Sequence, residues 1–380
     1  MALGFPHAPL RPTSCPATRP PASPVPLSTM LNITVLLGGV SAEREVSLSS
    51  GLRVAAALRS LGHAVTCLDP ASDVLTEAEE AQLLAAGVGS APPSLEALLA
   101  LARGGGGGPS LSPSLAFHPA VTGADVVFIG LHGGQGEDGT VQALLELAGV
   151  CYTGSGHLAS ALAMDKHLSK VVLRAAGVSV ADWVMAPAPA SGATLDVAAT
   201  VAALGLPLVV KPSAQGSTVG LSIVETADAL PGAVAEAFRY DRAVMVERFV
   251  PGRELTVGIV GEAVLPVIEI RPAKALYDYE CKYTPGMAEE FVAELPVAVA
   301  ERLGAQARTA FQALGLSGYA RIDFRLDPAG EPYCLEANTL PGMTPTSLIP
   351  QAAAAAGVLF PALCARIVDE ACAARGLRRA

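Results

Sequence analysis

The segment that most constrains the fold is a polar hairpin in the last third of the chain, GYARIDFRLDPAGEPYCLEAN. Apolar and polar side chains alternate along both arms, which is typical of half-buried strands, and DPAG is a turn sequence. If residues 328–331 form the loop, Asp323 lies directly opposite Glu336, and Arg321 lies opposite Asn338. The alternation then places these four side chains on one face of a sheet.

Two carboxylates that face each other repel unless a cation lies between them. Opposed side chains of antiparallel strands have Cβ atoms about 5 Å apart, so Asp323 and Glu336 need such a cation. Magnesium prefers a few carboxylate or carbonyl oxygens together with the phosphates of a substrate. The hairpin therefore predicts a divalent metal site, and a solvated polar face is the alternative.

A second motif follows a buried apolar strand that ends at Lys211, where the chain continues as PSAQGSTVG. Small residues let backbone N–H groups approach an anion, and the lysine adds a compact positive charge. The pattern favours a phosphate-binding loop, although an ordinary hairpin loop has the same composition. Only five of the 25 basic residues are lysines, and Lys166, Lys211 and Lys282 all lie in polar motifs, which favours specific roles for their ammonium groups.

Near the start of the ordered chain, two glycines precede the segment VSAEREVS. Ser41 is predicted to be the N-cap of a helix that reaches about residue 61. Glu43 in the first turn would repel an anion and suits an ammonium group, although a helix-capping role is equally compatible with the pattern. His132, in LHGGQGEDG, follows a strand and is either a ligand contact or a structural histidine.

The polar hairpin is followed at once by the segment NTLPGMTPTSL. Ser347 could cap the next helix, which is the common role of a serine there. Because the segment begins at a predicted metal ligand, we also expect backbone N–H groups near Gly342 and Ser347 to hold a carboxylate or an oxyanion.

Hydrophobic periodicity predicts the organisation of the chain. A βαβ unit at 33–68 indicates a small parallel α/β domain, and a Gly/Pro/Ser-rich stretch at about 70–120 is predicted to be a surface excursion outside the core. Further strands are predicted at 125–130, 207–211, 221–224, 244–247, 254–260, 263–270, 318–326 and 332–337, with helices at 140–147 and 296–314.

The predicted domains are a disordered Pro-rich leader at 1–30, an N-terminal domain at 31–154, a central domain at 155–250 and a C-terminal domain at 251–380. Met30 is the expected true first residue.

The composition excludes several classes of protein. With 51% hydrophobic and 16% charged residues, the chain cannot be mostly disordered. A net charge of −10 without a Lys/Arg block argues against nucleic-acid or anionic-membrane partners. The longest apolar run, near 352–365, is too short to span a bilayer. Seven scattered cysteines without a CxxC pair indicate reduced thiols in a cytoplasmic protein.

In combination and in this order, these segments resemble the D-alanine–D-alanine ligases of the ATP-grasp superfamily, from about Asn32 to the C-terminus. The motifs that carry the resemblance are GGVSAEREVSL, LHGGQGEDG, YTGSG with AMDK, VKPSAQGSTVG, YDYECKYTPG, GYARIDF and EANTLPGMTPTSL. The implied fold class is α/β: an ATP-grasp fold in which a small Rossmann-like parallel domain precedes two α+β domains that sandwich ATP.

The resemblance also implies the nucleotide and metal contacts. Lys166 and Lys211 are expected on the phosphates of ATP. Two Mg²⁺ or Mn²⁺ ions are expected on the hairpin residues Asp323, Glu336 and Asn338. The expected contacts of the adenine and the ribose are Glu247, the backbone of Arg248 and Val250, and Glu254.

For the first D-alanine, the resemblance implies that Glu43 receives the ammonium group, in a hydrogen-bonded set with Ser217 and Tyr283. Residues 272–290 resemble the mobile lid of the family, in which Lys282 would reach the transferred phosphate. Closure of such a lid excludes water from a hydrolysable intermediate.

The contacts of the second D-alanine follow from the same resemblance. Arg321 and the Gly342 N–H are expected to stabilise a tetrahedral oxyanion, and Ser347 and Leu348 to bind the carboxylate of the second substrate. His132 is expected to contact substrate.

The resemblance implies ATP-dependent formation of D-alanyl-D-alanine through an acyl phosphate, for peptidoglycan precursors, by a cytoplasmic homodimer. A D-alanine–D-lactate or D-alanine–D-serine ligase is the alternative, and Tyr283 favours the dipeptide. An ATP-grasp ligase or carboxylase for other substrates, or a nucleotide-binding regulator without turnover, are further alternatives.

Overall fold

The structure is a computed structural model that describes residues 30–89, 91, 93–104, 111–273, 281, 284 and 286–374. The predicted leader up to residue 29 lies outside the described residues, as do Lys282 and Tyr283. The described chain forms three β-sheets, and helices cover their faces.

The first sheet is parallel and has the strand order β2-β1-β3. Its strands are β1 (Asn32–Leu36), β2 (Ala64–Leu68) and β3 (Val126–Ile129), and its principal helices are α1 (Arg44–Ser60) and α5 (Thr140–Leu147). Residues 33–36 of β1 and all of β3 are buried, because a parallel sheet is covered on both faces. The predicted parallel α/β unit is therefore present.

The start of α1 differs from the prediction. The N-cap residue is Glu43 rather than Ser41, and the first helical residue is Arg44. The Ser41 hydroxyl instead accepts a hydrogen bond from the Glu43 N–H at 3.2 Å and donates one to the His132 carbonyl at 2.7 Å. Ser41 therefore joins the glycine turn after β1 to the loop after β3, and this contact brings two motifs of the sequence together.

The predicted surface excursion at 70–120 is partly wrong. Helix α2 (Glu77–Ala86) has no buried residue, and α3 (Leu95–Gly104) follows it. Leu111 and Leu115, however, are buried and belong to the core of the first sheet. Two leucines four residues apart supply this anchor, and the surrounding Pro and Ser residues obscured it in the sequence. A short 3₁₀ helix (Pro113–Phe117) and α4 (Pro119–Thr122) lead into β3.

The second sheet is antiparallel, with the order β4-β7-β5-β6. Its strands are β4 (Trp183–Met185), β5 (Leu208–Pro212), β6 (Ser222–Val224) and β7 (Val244–Arg248), and α8 (Val197–Leu204) and α9 (Leu230–Ala237) pack against it. Helices α6 (His157–Met164) and α7 (Lys166–Ala175) precede it in the chain and pack into the core of the third sheet. Strand β4 was not predicted, because its three half-buried residues are too few to show the alternation of apolar and polar side chains that indicates a strand. The Gly/Ser-rich segment joins β5 to β6 and is a hairpin loop.

The third sheet is antiparallel, with the order β11-β10-β8-β12-β13 and β9 paired to β8. Its strands are β8 (Arg253–Val260), β9 (Ala263–Val264), β10 (Ile268–Pro272), β11 (Ala288–Val292), β12 (Tyr319–Leu326) and β13 (Pro332–Asn338), and α10 (Val297–Ala313) packs against it. The predicted strand at 263–270 is in fact two strands. The predicted lid at 272–290 begins and ends in paired strands, because Pro272 pairs with Ala288 and Arg271 with Glu289.

The register of the β12–β13 hairpin is the predicted one at the polar end. Asp323 pairs with Glu336, and Arg321 pairs with Asn338. The predicted four-residue loop is wrong, because Leu326 pairs with Pro332 and leaves five residues between them. A register shift after Asp323, where Phe324 pairs with Cys334, compensates for the longer loop. The bulge thereby keeps both carboxylates opposed.

Two C-terminal helices, α11 (Leu348–Ala355) and α12 (Phe360–Ala374), pack into the same core as the first sheet. Ile367 and Val368 of α12 are fully buried in that core, as is Tyr319 of β12. Within the described residues, no single helix is long and apolar enough to cross a membrane. Only α11 and α12 taken together have the length and composition of a membrane span, and the two helices are bent by 105° relative to each other.

Candidate active site

Two adjoining cavities lie where the three sheets meet. The first lies between the second and third sheets and the second lies beneath the loop after β13, and Gly216, Ser217, Arg321 and Glu336 line both. Of the predicted site residues, those that line the first cavity are Lys166, Lys211, Ser217, Glu247, Arg248, Val250, Glu254, Arg321, Asp323 and Glu336. Those that line the second are Glu43, His132, Ser217, Arg321, Glu336, Asn338, Gly342, Ser347 and Leu348. The structure therefore brings together every predicted site residue that it describes.

Lys166 is placed in the first cavity by the start of α7. The Asp165 side chain caps the helix by accepting the N–H groups of His167 and Leu168, and the Ser213 hydroxyl donates to the same carboxylate at 3.1 Å. The Lys166 ammonium lies 2.8 Å from the Gln215 carbonyl and 3.0 Å from Glu336 Oε2. It therefore lies between the Gly/Ser-rich loop and the acidic hairpin, with its charge directed into the cavity.

A buried ion cluster forms the far wall of this cavity. Lys211 Nζ lies 2.7 Å from Glu247 Oε2, and the ammonium of Lys170 pairs with Glu247 Oε1. Burial opposes ionisation of Glu247, but Lys211 and Lys170 together lower the pKa of its carboxyl group below the usual value. Sequence reasoning missed Lys170, because a lysine on a helix ordinarily faces solvent. The only available signal was its spacing of one helical turn from Lys166.

Asp323 is the most heavily hydrogen-bonded carboxylate at the hairpin. Arg321 donates to both of its oxygens at 2.9 Å, Asn338 Nδ2 donates at 2.9 Å and the Thr256 hydroxyl donates at 2.6 Å. Arg321 and Lys166 therefore provide the positive charge that the opposed carboxylates of Asp323 and Glu336 require. Over the part of the chain that the structure describes, no three His, Cys, Asp or Glu residues cluster as a metal cage.

The Gly/Ser-rich loop meets the start of α1 at the junction of the two cavities. The Ser217 hydroxyl donates to Glu43 Oε1, across 174 positions of sequence. Ser217 and Thr218 have φ angles of +50° and +63°, which non-glycine residues rarely adopt. Strain of this kind persists where the surroundings fix the backbone, and it is concentrated at functional sites. The loop is therefore held in one shape at the position where it contacts Glu43.

His132 has both ring nitrogens engaged by the protein. Nδ1 lies 3.0 Å from the Leu340 carbonyl and Nε2 lies 3.1 Å from the Ser50 hydroxyl. Glu137 Oε1 lies 3.8 Å from Nδ1, and burial, together with the charge of Glu43, raises the pKa of the Glu137 carboxyl. Glu137 lines the second cavity, and the sequence analysis missed it although it lies in the quoted motif LHGGQGEDG.

The loop after β13 closes the second cavity. The Ser347 hydroxyl accepts the Thr344 N–H at 3.0 Å, and Ser347 is the N-cap residue of α11 but makes no side-chain hydrogen bond to the helix. A Cβ atom at Gly342 would lie 2.8 Å from Ser347 Oγ, so a larger residue there would displace the Ser347 hydroxyl. The buried Leu348 begins α11 beside it.

At the opposite end of the first cavity, β7 continues into β8 through a turn. The Val250 carbonyl accepts the Nε–H of Arg325 at 3.1 Å, and Arg325 also lies 3.4 Å from Glu254. The Arg248 guanidinium lies 5.1 Å from the centre of the Tyr333 ring. Arg325 therefore links the two strand ends, and the sequence analysis did not single it out.

Two family models together match most of the chain. The model of the D-ala D-ala ligase N-terminus matches residues 32–155, and that of the D-ala D-ala ligase C-terminus matches residues 172–369. The chain belongs to the D-alanine–D-alanine ligase family. This membership confirms the predicted family and the predicted enzyme class, an ATP-dependent ligase.

Relatives and solved structures agree with this assignment. The D-alanine–D-alanine ligases of Anaeromyxobacter sp. (strain Fw109-5) and Geobacter sulfurreducens are each 42% identical to this chain over 89% of its length, and the matches cover 96% and 93% of those proteins. A crystal structure of the Bacillus anthracis D-alanine–D-alanine ligase complexed with ATP is similar at a TM-score of 0.69 and 31% identity, over 91% of this chain and 99% of that one. A second structure of the Bacillus anthracis enzyme has a TM-score of 0.70. The predicted ATP-grasp fold is confirmed.

Proposed function

We propose that the protein joins two D-alanine molecules to D-alanyl-D-alanine with hydrolysis of ATP to ADP and phosphate. The observation that carries this proposal is the junction of the two cavities at Ser217, Arg321 and Glu336. One cavity presents buried lysines suited to phosphates, and the other presents Glu43 suited to an ammonium group. An amino acid whose ammonium group is bound by Glu43 would therefore direct its carboxylate towards the terminal phosphate of ATP.

In the first step, a carboxylate oxygen of the first D-alanine attacks the γ-phosphorus of ATP, and ADP leaves. Lys166 and Lys211 offset negative charge on the phosphates of ATP. Electrostatic stabilisation of this charge is the main contribution that a protein makes to phosphoryl transfer. Glu43 holds the ammonium group, and Ser217 fixes the Glu43 carboxylate by a hydrogen bond. Lys282, which lies outside the described residues, would reach the transferred phosphate from the lid.

In the second step, the amine of the second D-alanine attacks the acyl carbon of the acyl phosphate, phosphate leaves and the amine loses a proton. Arg321 and the Gly342 N–H would stabilise the tetrahedral oxyanion, and the loss of one such donor costs about 3 kcal/mol in other enzymes. Ser347 and Leu348 would bind the second carboxylate at the start of α11.

The hairpin donors fit two divalent ions that are also bound by phosphate. Asp323 and Glu336 provide carboxylate oxygens and Asn338 an amide oxygen, which is too few ligands for a cage made of protein alone. Magnesium characteristically takes one or two carboxylates plus substrate phosphates. When bound, Mg²⁺ or Mn²⁺ neutralises charge on the transferred phosphoryl group.

Phosphate release by the purified protein tests the proposal, with ATP, Mg²⁺ and either D-alanine, L-alanine or no amino acid. We expect release with D-alanine alone. Release that is independent of the amino acid would leave an ATP site but overturn the substrate assignment. No release under any condition would favour a nucleotide-binding regulator.

The nature of the second substrate is tested by adding D-lactate or D-serine with D-alanine. We propose that the dipeptide is the product because Tyr283 is the family residue that accompanies D-alanine, and an ordered hydroxyl selects among nucleophiles. Tyr283→Phe is expected to increase the share of D-lactate product. Equal products from Tyr283→Phe and from the original chain would contradict this role.

The cellular role that follows is supply of the dipeptide for peptidoglycan. We propose the cytoplasm as its location, because seven scattered cysteines without a CxxC pair are typical of a protein in a reducing compartment. The domain limits at 31–154, 155–250 and 251–380 and the homodimer stay predictions.

A further inference from the structure

One buried cation in the site has no role in the steps above. Lys170 has a fully buried side chain on α7, one helical turn after Lys166. It does not line the nucleotide cavity but lies behind Glu247, which does. Burying an ammonium group is unfavourable, so its presence behind a cavity wall needs an explanation.

The geometry around Glu247 supplies that explanation. Each of its carboxylate oxygens is occupied by a different lysine, Lys170 on Oε1 and Lys211 on Oε2. Lys211 alone could pair with a carboxyl group that rotates, whereas two lysines from different elements fix the plane of the group. They also favour its ionised form, because Lys170 and Lys211 both lower the pKa of Glu247 against the effect of burial.

We propose that Lys170 is a positioning residue for base selection, which holds Glu247 ionised and oriented so that it accepts a hydrogen bond from a 6-aminopurine and rejects a 6-oxopurine. This inference rests on the proposed function, in which Glu247 meets the adenine. A carboxylate only accepts hydrogen bonds, so it matches the amino group of adenine. A protonated carboxyl group can donate through its O–H and would tolerate the oxo group of hypoxanthine, and a rotated carboxylate would lose the contact with the amino group of adenine.

The surroundings of Lys170 provide a matched control. Trp183 is the sole tryptophan of the chain, and Lys170 Nζ lies 5.2 Å from the centre of its ring. Arg174, on the same helix, lies 4.3 Å from the same ring and pairs with Asp182 at 2.8 Å. Arg174 does not line the nucleotide cavity and shares the helix and the indole contact of Lys170. The substitution Arg174→Met therefore removes a cation near Trp183 without touching Glu247.

The experiment is calorimetric titration of the full chain with ADP and with IDP at one Mg²⁺ concentration. ADP has a 6-amino group, whereas IDP has a 6-oxo group and a proton on N1. For the original chain and for Arg174→Met, we expect the Kd for IDP to exceed the Kd for ADP by about tenfold or more, as a hydrogen bond to a charged group provides. In Lys170→Met, this ratio of the two Kd values is expected to fall to less than about threefold, mainly because ADP binds more weakly. If Lys170→Met does not fold, Lys170→Gln, which keeps a neutral donor, is expected to give an intermediate ratio.

A double-mutant cycle separates positioning from a general structural role. In a Glu247→Gln background, Lys170→Met should have no further effect on the ADP/IDP ratio, because its action passes through Glu247. An unchanged ratio in Lys170→Met, or additive effects in the cycle, would overturn the inference while leaving the ligase proposal intact. A chain that binds ADP and IDP equally before any substitution would overturn the assignment of Glu247 to adenine, and the inference with it. The ligase proposal itself depends on D-alanine-dependent phosphate release.

Discussion

Lys166 Nζ lies 3.0 Å from Glu336 Oε2 and thereby joins the start of α7 to the end of the acidic hairpin. The lysine is a proposed phosphate contact, and the glutamate is a proposed metal ligand. Because Lys166 and Glu336 are in contact, a phosphate oxygen bound by Lys166 and a cation bound by Glu336 would be neighbours. Under the proposed roles, the ion pair would fix where a metal ion and a phosphate group bind together in the first cavity.

The first prediction concerns the metal site. Asp323→Asn keeps the shape of the side chain but removes the charge that Arg321, Asn338 and a metal ion would share. We expect kcat to fall by about a hundredfold and the Mg²⁺ concentration for half-maximal activity to rise, because charge compensation at the transferred phosphate is weakened. Activity measured over a magnesium titration tests this.

Glu331→Gln is the matched control for the metal prediction. Glu331 lies at the turn of the same hairpin and pairs with Arg302 at 2.7 Å, far along the strand from the cavity. The magnesium dependence of this variant should equal that of the original chain. A normal magnesium titration in Asp323→Asn would contradict a metal-binding role for the hairpin.

The second prediction concerns the first D-alanine site. Glu43→Gln removes the negative charge at the Ser217 contact, so the KM for D-alanine should rise by about ten- to a hundredfold while the Kd for ATP stays unchanged. Glu45→Gln is the control, since Glu45 lies in the first turn of the same helix but accepts the Gly89 N–H at 2.7 Å and does not line the second cavity. Equal KM values for D-alanine in both variants would favour a ligase for another substrate.

The polar hairpin shows how far sequence reasoning reached. Alternation and the turn sequence were sufficient to place Asp323 opposite Glu336, because side-chain period and turn composition are local properties. The compensating bulge at the partner strand could not be read in the same way, since it depends on how β12 also pairs with β8. The correct register was therefore obtained with a wrong loop length.

The residues that sequence reasoning missed share one property: their role depends on distant partners. Lys170 is buried only because Glu247, 77 positions away, lies opposite it. Leu111 and Leu115 are core residues within a segment whose composition indicated a surface loop. Ser41 looked like an N-cap, but its hydroxyl bonds to the His132 carbonyl, 91 positions away. Tertiary contacts override local preference at each of these positions.

The third prediction concerns cysteine reactivity and its dependence on pH. Burial raises the pKa of the thiols of Cys67, Cys334 and Cys364 to about 12. At pH 8 the reactive thiolate is then about one part in ten thousand, and it increases tenfold for each pH unit. Iodoacetamide at pH 8 should leave these three residues unmodified in the folded protein and modify them in guanidinium, as measured by peptide mass mapping. Rapid alkylation of Cys334 in the folded chain would contradict its burial.

The fourth prediction concerns the turn that leads from the nucleotide cavity into β8. Gly252 has a φ of +121°, and a Cβ atom there would overlap the Leu326 carbonyl oxygen of β12. Gly252→Ala therefore forces the backbone apart and should cost about 3 kcal/mol, seen as a Tm lower by roughly 5 °C or more. Gly330→Ala is the control, because Gly330 has a φ of +82° but nothing within 4 Å of its Cβ position, so it bears only the backbone strain of about 1 kcal/mol. Equal Tm losses in the two variants would show that strain alone, and not the contact with Leu326, requires glycine at position 252.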